Sequence, residues 1–194
     1  MKKGLMLLIW MGLMGCQPSK VTIPDNVIDL AKEEAKFRFY NGILLYHNKP
    51  FSGYLVVHFP SKKIFTKEGY WQGKAEGVHQ KWYENGQLAE RRTYHKNHKN
   101  GLHKGWWPNG TPKFNYHFLK DVATGTHHEW FENGQMYSLS TYNSEGQPEG
   151  KQQMWYMDGQ LKANYVIQNG RRFGLLGAKG CMGDNERDVT SIKI

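Results

Sequence analysis

The rhythm of apolar and polar positions changes several times along this chain. Gly4 to Leu13 is an unbroken apolar run. Over Asp25 to Arg38 the apolar positions Val27, Ile28, Leu30, Ala31 and Ala35 fall mostly on one face. Pro24 and Asp25 supply a start signal, so this segment is predicted to be a helix. The phrase "FYNGILLY" follows and reads as a short hairpin about Asn41-Gly42. After it glycine sets the beat, with Gly53, Gly77, Gly101, Gly125, Gly150 and Gly174 at intervals of 24, 24, 24, 25 and 24.

Inside each interval the words repeat. A second glycine comes nine residues after the first, at Gly86, Gly110, Gly134 and Gly159, each preceded by Asn or Asp. The phrases are "WYENGQL", "WWPNGTP", "WFENGQM" and "WYMDGQL", with the degenerate "HFPSKKI" in the same slot of the first unit. Five units thus fill residues 53–174, and self-similarity at a fixed period implies a stacked array. Asn-Gly between apolar-containing runs predicts a hairpin with a type I′ turn, which needs φ > 0 at both central residues. The predicted turns are Asn85-Gly86, Asn109-Gly110, Asn133-Gly134 and Asp158-Gly159, and the Gly77-type positions mark the reversal into the next unit. This register pairs Tyr83 with Leu88 and Trp82 with Ala89, and equivalently Phe59/Ile64, Trp107/Pro112, Phe131/Met136 and Tyr156/Leu161. Ten strands at ~4.8 Å spacing make a sheet about 48 Å long. The expected fold class is all-β: an elongated antiparallel sheet of stacked hairpins with a short N-terminal helix cap. Residues 25–52 form the front cap, and 175–194, around "FGLLGAKGCMG", form the back cap with Cys181 inside, since sheet edges need protection.

Composition narrows the picture. Hydrophobic residues are 39% of 194, aromatics 14%, and there are 22 glycines. Aromatic-rich, glycine-rich and aliphatic-poor chains suit short strands and tight turns, and exclude a helix bundle or a doubly wound α/β fold. That many aromatics also exclude full disorder. Lys2 and Lys3 precede an apolar run far short of the ~20 residues needed to span a bilayer, so residues 1–15 read as a secretory signal. Leu13-Met14-Gly15-Cys16 resembles the lipobox of bacterial lipoproteins, with Met14 where Ala or Ser is usual. The resemblance implies lipidation of Cys16, a tether over 16–24 and, because Gln17 is not Asp, the outer membrane. Cys181 is then left single and is expected to be buried. Removing Lys2 and Lys3 leaves 24 basic against 17 acidic residues, a mature charge of +7. Scattered solvating lysines account for it, and an exported chain has no nucleic-acid partner to explain it.

Chemistry is sparse. No phosphate loop opens a helix, no Gly-x-Ser-x-Gly elbow is present, and Glu84, Glu132 and Asp158 sit in turns. No catalytic residue and no cofactor other than the lipid on Cys16 is expected. His79, His103 and His127 share one register about 9.6 Å apart, too far for neighbouring imidazoles to share an ion near ~2.1 Å from each, so they read as solvated strand histidines and no metal site is expected. Trp82, Trp106, Trp130 and Trp155 form a column, with His58 in the same slot of the first unit. Strand alternation puts this column on the face opposite Tyr83, Trp107, Phe131 and Tyr156. It is either a platform for sugar rings or a partner's apolar side chains, or an aromatic ladder internal to the stack with Lys113 and Lys162 lying over the indoles.

The recurring Trp-Tyr-Glu-Asn-Gly-Gln-Leu phrase with its opening glycine resembles MORN-type repeats, closest to the variant in bacterial proteins labelled YwqK-family antitoxins. That resemblance covers residues 53–174 and implies scaffolding or binding without catalysis. The expected function is a lipid-anchored envelope protein, not an enzyme, whose repeats bind a protein partner of unknown identity. Its alternatives are an antitoxin- or immunity-like inhibitor of a toxic partner, and a glycan-binding envelope protein using the tryptophan row.

Overall fold

Each repeat folds as the antiparallel hairpin that its pattern predicts. The structure, a computed structural model, describes residues 21–175. The expected leader, Cys16, Cys181 and nearly all of the expected back cap lie outside the described residues. The hairpins pair Gly53–His58 with Ile64–Trp71, Gly77–Trp82 with Leu88–His95, Gly101–Trp106 with Pro112–Leu119, Gly125–Trp130 with Met136–Tyr142, and Pro148–Trp155 with Leu161–Gln168. Neighbouring hairpins also pair, so one sheet runs through all five, joined at the back by Arg171–Leu175 and at the front by Val27–Asp29. The front strand is parallel to its neighbour, with Val27, Ile28 and Asp29 opposite Tyr54, Leu55 and Val56.

The long N-terminal helix is not formed. Only Leu30–Glu33 is α-helical, followed by a 3-10 turn at Glu34–Lys36. Val27 and Ile28 are β-branched and take a strand partner instead. Asp29 then starts the helix late, its side chain accepting from the Ala31 amide at 3.2 Å. Phe37 ends it by joining a three-stranded cap sheet, Phe37–Tyr40, Ile43–Tyr46 and Lys49–Pro50. Asn41 and Gly42, at φ 47° and 73°, form the predicted tight turn within that sheet. Leu44, Phe51, Leu55 and Tyr70 make the buried cluster that binds cap to array, with Ile28, Leu30 and Phe37 packed around it.

The turns differ from expectation in an ordered way. At Asn85-Gly86 only the glycine has positive φ, 89°. Tyr83 N–H donates to the Gln87 carbonyl and Gly86 N–H to the Tyr83 carbonyl, both at 2.9 Å. That is a type I turn with glycine at the left-handed third loop position. It pairs Trp82 with Leu88, and a bulge at Ala89 follows. From Lys81↔Glu90 to Gly77↔Tyr94 the register is the expected one, because the longer turn and the bulge cancel. The other units repeat this, with His58↔Ile64, Trp106↔Pro112, Trp130↔Met136 and Trp155↔Leu161 in place of the expected pairs.

Two-residue turns with both φ positive occur at the opposite end, at Gln72-Gly73, Lys96-Asn97, Lys120-Asp121 and Asn169-Gly170. The reversal between units is therefore made there, and not at the Gly77-type positions. In the fourth unit, the one with 25 residues, a three-residue turn replaces the two-residue one. Asn143 N–H donates to the Gln147 carbonyl at 3.0 Å and Gly146 N–H to the Asn143 carbonyl at 3.2 Å.

Candidate functional site

Strand alternation divides the sheet into two faces, and both carry aromatic rows. On one face the histidines are not solvated: they are the inner column of the array. Rings alternate Tyr70, His79, Tyr94, His103, Phe118, His127, Tyr142, with successive centroids 4.6 to 5.7 Å apart. His103 is 1% exposed and His127 7%. Each is satisfied by a carbonyl ten residues earlier: Nε2 lies 2.8 Å from the Gly69 carbonyl for His79, 2.8 Å from that of Thr93 for His103, and 2.9 Å from that of His117 for His127. A carbonyl only accepts, so Nε2 of His79 and His103 carries the proton in these contacts, whereas His127 Nε2 also lies 3.2 Å from the His117 amide, which can donate to it. Gln152 fills the same slot in the last unit and donates Nε2–H to the Thr141 carbonyl at 2.8 Å. Burial lowers the pKa of all three histidines and keeps them neutral.

The tryptophan column lies on the other face. Trp82, Trp106, Trp130 and Trp155 are all half-buried. Trp106 and Trp130 flank a cleft of about 150 Å³ that Lys104, Pro112 and Asn115 also line; Trp82 and Trp155 lie outside it. The lysines expected over these indoles serve the opposite row: Lys113 Nζ is 4.4 Å from the Trp107 ring and Lys162 Nζ 5.5 Å from that of Tyr156. The bulge is the reason, since Lys113 and Lys162 are bulge residues and lean over the side chain beside the turn.

Side chains near the turns stitch one unit to the next. Tyr83 donates to the Trp106 carbonyl at 3.0 Å, and Trp107 Nε1–H to the Trp130 carbonyl at 3.1 Å. Asn85 Nδ2 donates to the Pro108 carbonyl and Asn109 Nδ2 to that of Glu132, each at 3.0 Å. The same asparagines accept, through Oδ1, from the amides of Gln87 and Thr111.

Between the third and fourth units this stitched face opens into a groove of about 310 Å³. Trp107, Phe114, Tyr116, Trp130, Phe131 and Tyr137 form its walls, and Glu129 and Lys113 are its charged groups. Phe114 and Tyr116 stack at 4.7 Å, and Phe131 meets Tyr137 edge-on at 5.0 Å. Gly105 makes this possible, because a Cβ there would overlap the Phe114 ring. Glu129 accepts from the Tyr116 hydroxyl and, at 3.1 Å, from Ser138 Oγ. Burial and this carboxylate hold the Tyr116 pKa well above its usual value. Sequence reasoning missed the groove; its signal was the pair Gly105 and Phe114, at positions where neighbouring units carry other residues.

Among the described residues, no group of three or more His, Cys, Asp or Glu is gathered as a metal site, and no helix is long and apolar enough to cross a membrane. No curated protein matches the chain. Residues 75–96 and 123–144, two repeat lengths apart, match the family described as MORN repeat variant, so these two segments are similar to MORN-variant repeats.

Proposed function

We propose that this chain is a lipid-anchored envelope protein, held by Cys16 at the outer membrane, whose repeat sheet is a non-catalytic binding scaffold for a protein partner. MORN repeats are consistent with a non-catalytic protein- or membrane-binding module. The observation that carries the reading is the aromatic groove between the third and fourth units, walled by rings from two repeats and open along the stitched face. Concave, mostly apolar sites with a few placed polar groups are where partners dock. Crosslinking the full-length protein in cells and capturing it from membranes tests the proposal. One dominant partner whose recovery falls in a Phe131→Ala variant is expected; recovery of no protein sinks it. Radiolabelled palmitate entering the wild type but not Cys16→Ser tests the anchor.

A second reading rests on the cleft between Trp106 and Trp130, which sets two indoles beside Lys104 and Asn115 as a glycan site would. It predicts polysaccharide or peptidoglycan retention that Trp106→Ala and Trp130→Ala abolish.

A further inference from the structure

We infer that the groove between the third and fourth units is a cation-recognition box, taking an arginine or lysine side chain displayed by a protein partner. This deepens the binding-scaffold reading and rests on it.

The argument begins with a comparison of two units of the same chain. On this face of the second unit, Lys81, Glu90 and Arg92 occupy the fifth, fourteenth and sixteenth positions after and including the opening glycine. There the chain answers its own charge, since Arg92 Nε meets Glu90 Oε2 at 2.8 Å. In the fourth unit the same three positions hold Glu129, Ser138 and Ser140. The sign at the fifth position is reversed and the cation at the sixteenth is gone. Glu129 takes part in none of the ion pairs among the described residues, and it is the only carboxylate lining the groove.

Its hydrogen bonds leave room. Tyr116 donates to Oε1 and Ser138 to Oε2, one bond to each oxygen. A carboxylate has about four acceptor sites, so roughly two remain for an incoming guanidinium or ammonium. Both donors are neutral, and no cation pairs directly with the carboxylate among the described residues.

The walls suit the same ligand. Aromatic faces attract cations, more strongly where water is excluded. Two rings of this groove already draw cations of the chain itself: Lys113 to Trp107 at 4.4 Å, and the Arg92 guanidinium to Phe114 at 5.7 Å. Arg92 is held by Glu90, and Lys113, which lines the groove, lies over the Trp107 ring; neither forms an ion pair with Glu129 among the described residues. The Trp107 indole is fixed by its bond to the Trp130 carbonyl, which pre-forms the wall before any ligand arrives. A long basic side chain brings methylenes for the rings and a charge for Glu129.

The test is a titration of the full-length protein in nonionic detergent with N-acetyl-arginine methylamide and, separately, with its uncharged citrulline counterpart. The indole N–H resonance of Trp107 is the readout. A saturable shift with the arginine compound and at least about tenfold weaker binding of the citrulline compound are expected, because only the charge differs. Glu129→Gln, whose oxygen still accepts from Tyr116 while its N–H can donate to the Ser138 hydroxyl, should weaken arginine binding about tenfold with the melting temperature nearly unchanged. Phe131→Leu should weaken it without altering charge. No shift in the wild type, equal binding of both compounds, or undiminished binding by Glu129→Gln would each overturn the box. The titration contains no partner, so its failure falls on the box alone and leaves the scaffold reading to the crosslinking experiment.

Discussion

Asn109 and Glu132 belong to different repeats, yet the Asn109 Nδ2 donates to the Glu132 carbonyl at 3.0 Å while its Oδ1 accepts from the Thr111 amide at 3.0 Å. One amide therefore shapes its own turn and holds the next. An aspartate could do the first task and not the second. The last unit has Asp158, whose Oδ1 accepts from Gln160 at 2.9 Å, and among the described residues no further hairpin tip follows on that margin for it to hold.

Asn109→Asp is accordingly expected to cost about 1–2 kcal/mol, by removing a donor and facing a carboxylate toward a carbonyl. Asp158→Asn should change stability by less than about 0.5 kcal/mol. Urea unfolding of the two variants decides the matter, and equal losses would show that the stitch carries no energy.

The first unit lacks the turn glycine. Lys62 stands in its place and is forced to φ 64°, while the Phe59 and Lys63 hydrogen bonds of the turn are kept. Lys62→Gly relieves a left-handed conformation worth ~1–2 kcal/mol and loses part of that through greater freedom of the unfolded chain, for a net gain of about 0.5–1 kcal/mol. A variant less stable than wild type in thermal unfolding would contradict this.

Acid should loosen the ring column. The folded-state pKa values of His79, His103 and His127 are lowered by burial, so the unfolded chain binds more protons once the pH falls below the ordinary histidine range. Their contribution is fully present above about pH 6.5 and declines as the pH falls toward the folded pKa values, by up to ~1.4 kcal/mol per pH unit for each residue. Gln152 shows that an amide can do the same structural work without titrating. His103→Gln should stay within about 1 kcal/mol of wild type at pH 7.5 and lose less stability on the way to pH 5. Wild-type stability unchanged between pH 7 and pH 5 would refute the buried neutral column.

Gly105 and Gly101 are four residues apart and needed for different reasons. A Cβ on Gly105 overlaps the buried Phe114 ring, so Gly105→Ala should cost about 1–3 kcal/mol and shift the groove wall. A Cβ on Gly101 meets nothing within 4 Å, but its φ of 82° is left-handed, so alanine there costs about 1–2 kcal/mol and leaves the groove as it was. Aromatic NMR shifts of Phe114 separate the two outcomes.

Much of this fold can be read from the chain. The glycine beat marks the units, Asn41-Gly42 makes the predicted turn, and the strand bodies keep the predicted register. What misled was assigning one role to a dipeptide that can serve two turn types: beside a bulge, Asn-Gly supports a type I turn, with asparagine kept for its bond to the neighbour. Lys96-Asn97 and Lys120-Asp121 form the tight turns without glycine, so no local signal drew attention to them. Val27 and Ile28 satisfied a helical pattern and found a parallel strand partner that only the tertiary fold supplies. The histidines looked solvated because polarity was judged residue by residue, whereas their carbonyl partners come from the preceding strand. The groove was hidden for a related reason: it arises where Gly105, Phe114, Glu129 and Ser138 depart from the average unit, and averaging discards departures.

The loop Asn143–Gln147 shows how an array like this can be copied imperfectly and still fold. One surplus residue lies in the fourth unit, yet Gln152 still reaches the Thr141 carbonyl and Tyr142 still packs on His127 at 4.8 Å. The counting error is confined to a single bend and the next hairpin starts in phase. Insertions placed at that bend, such as an epitope or a fluorescent reporter, should be carried as passengers. The opposite margin, where each tip is tied to its neighbour, has no such slack.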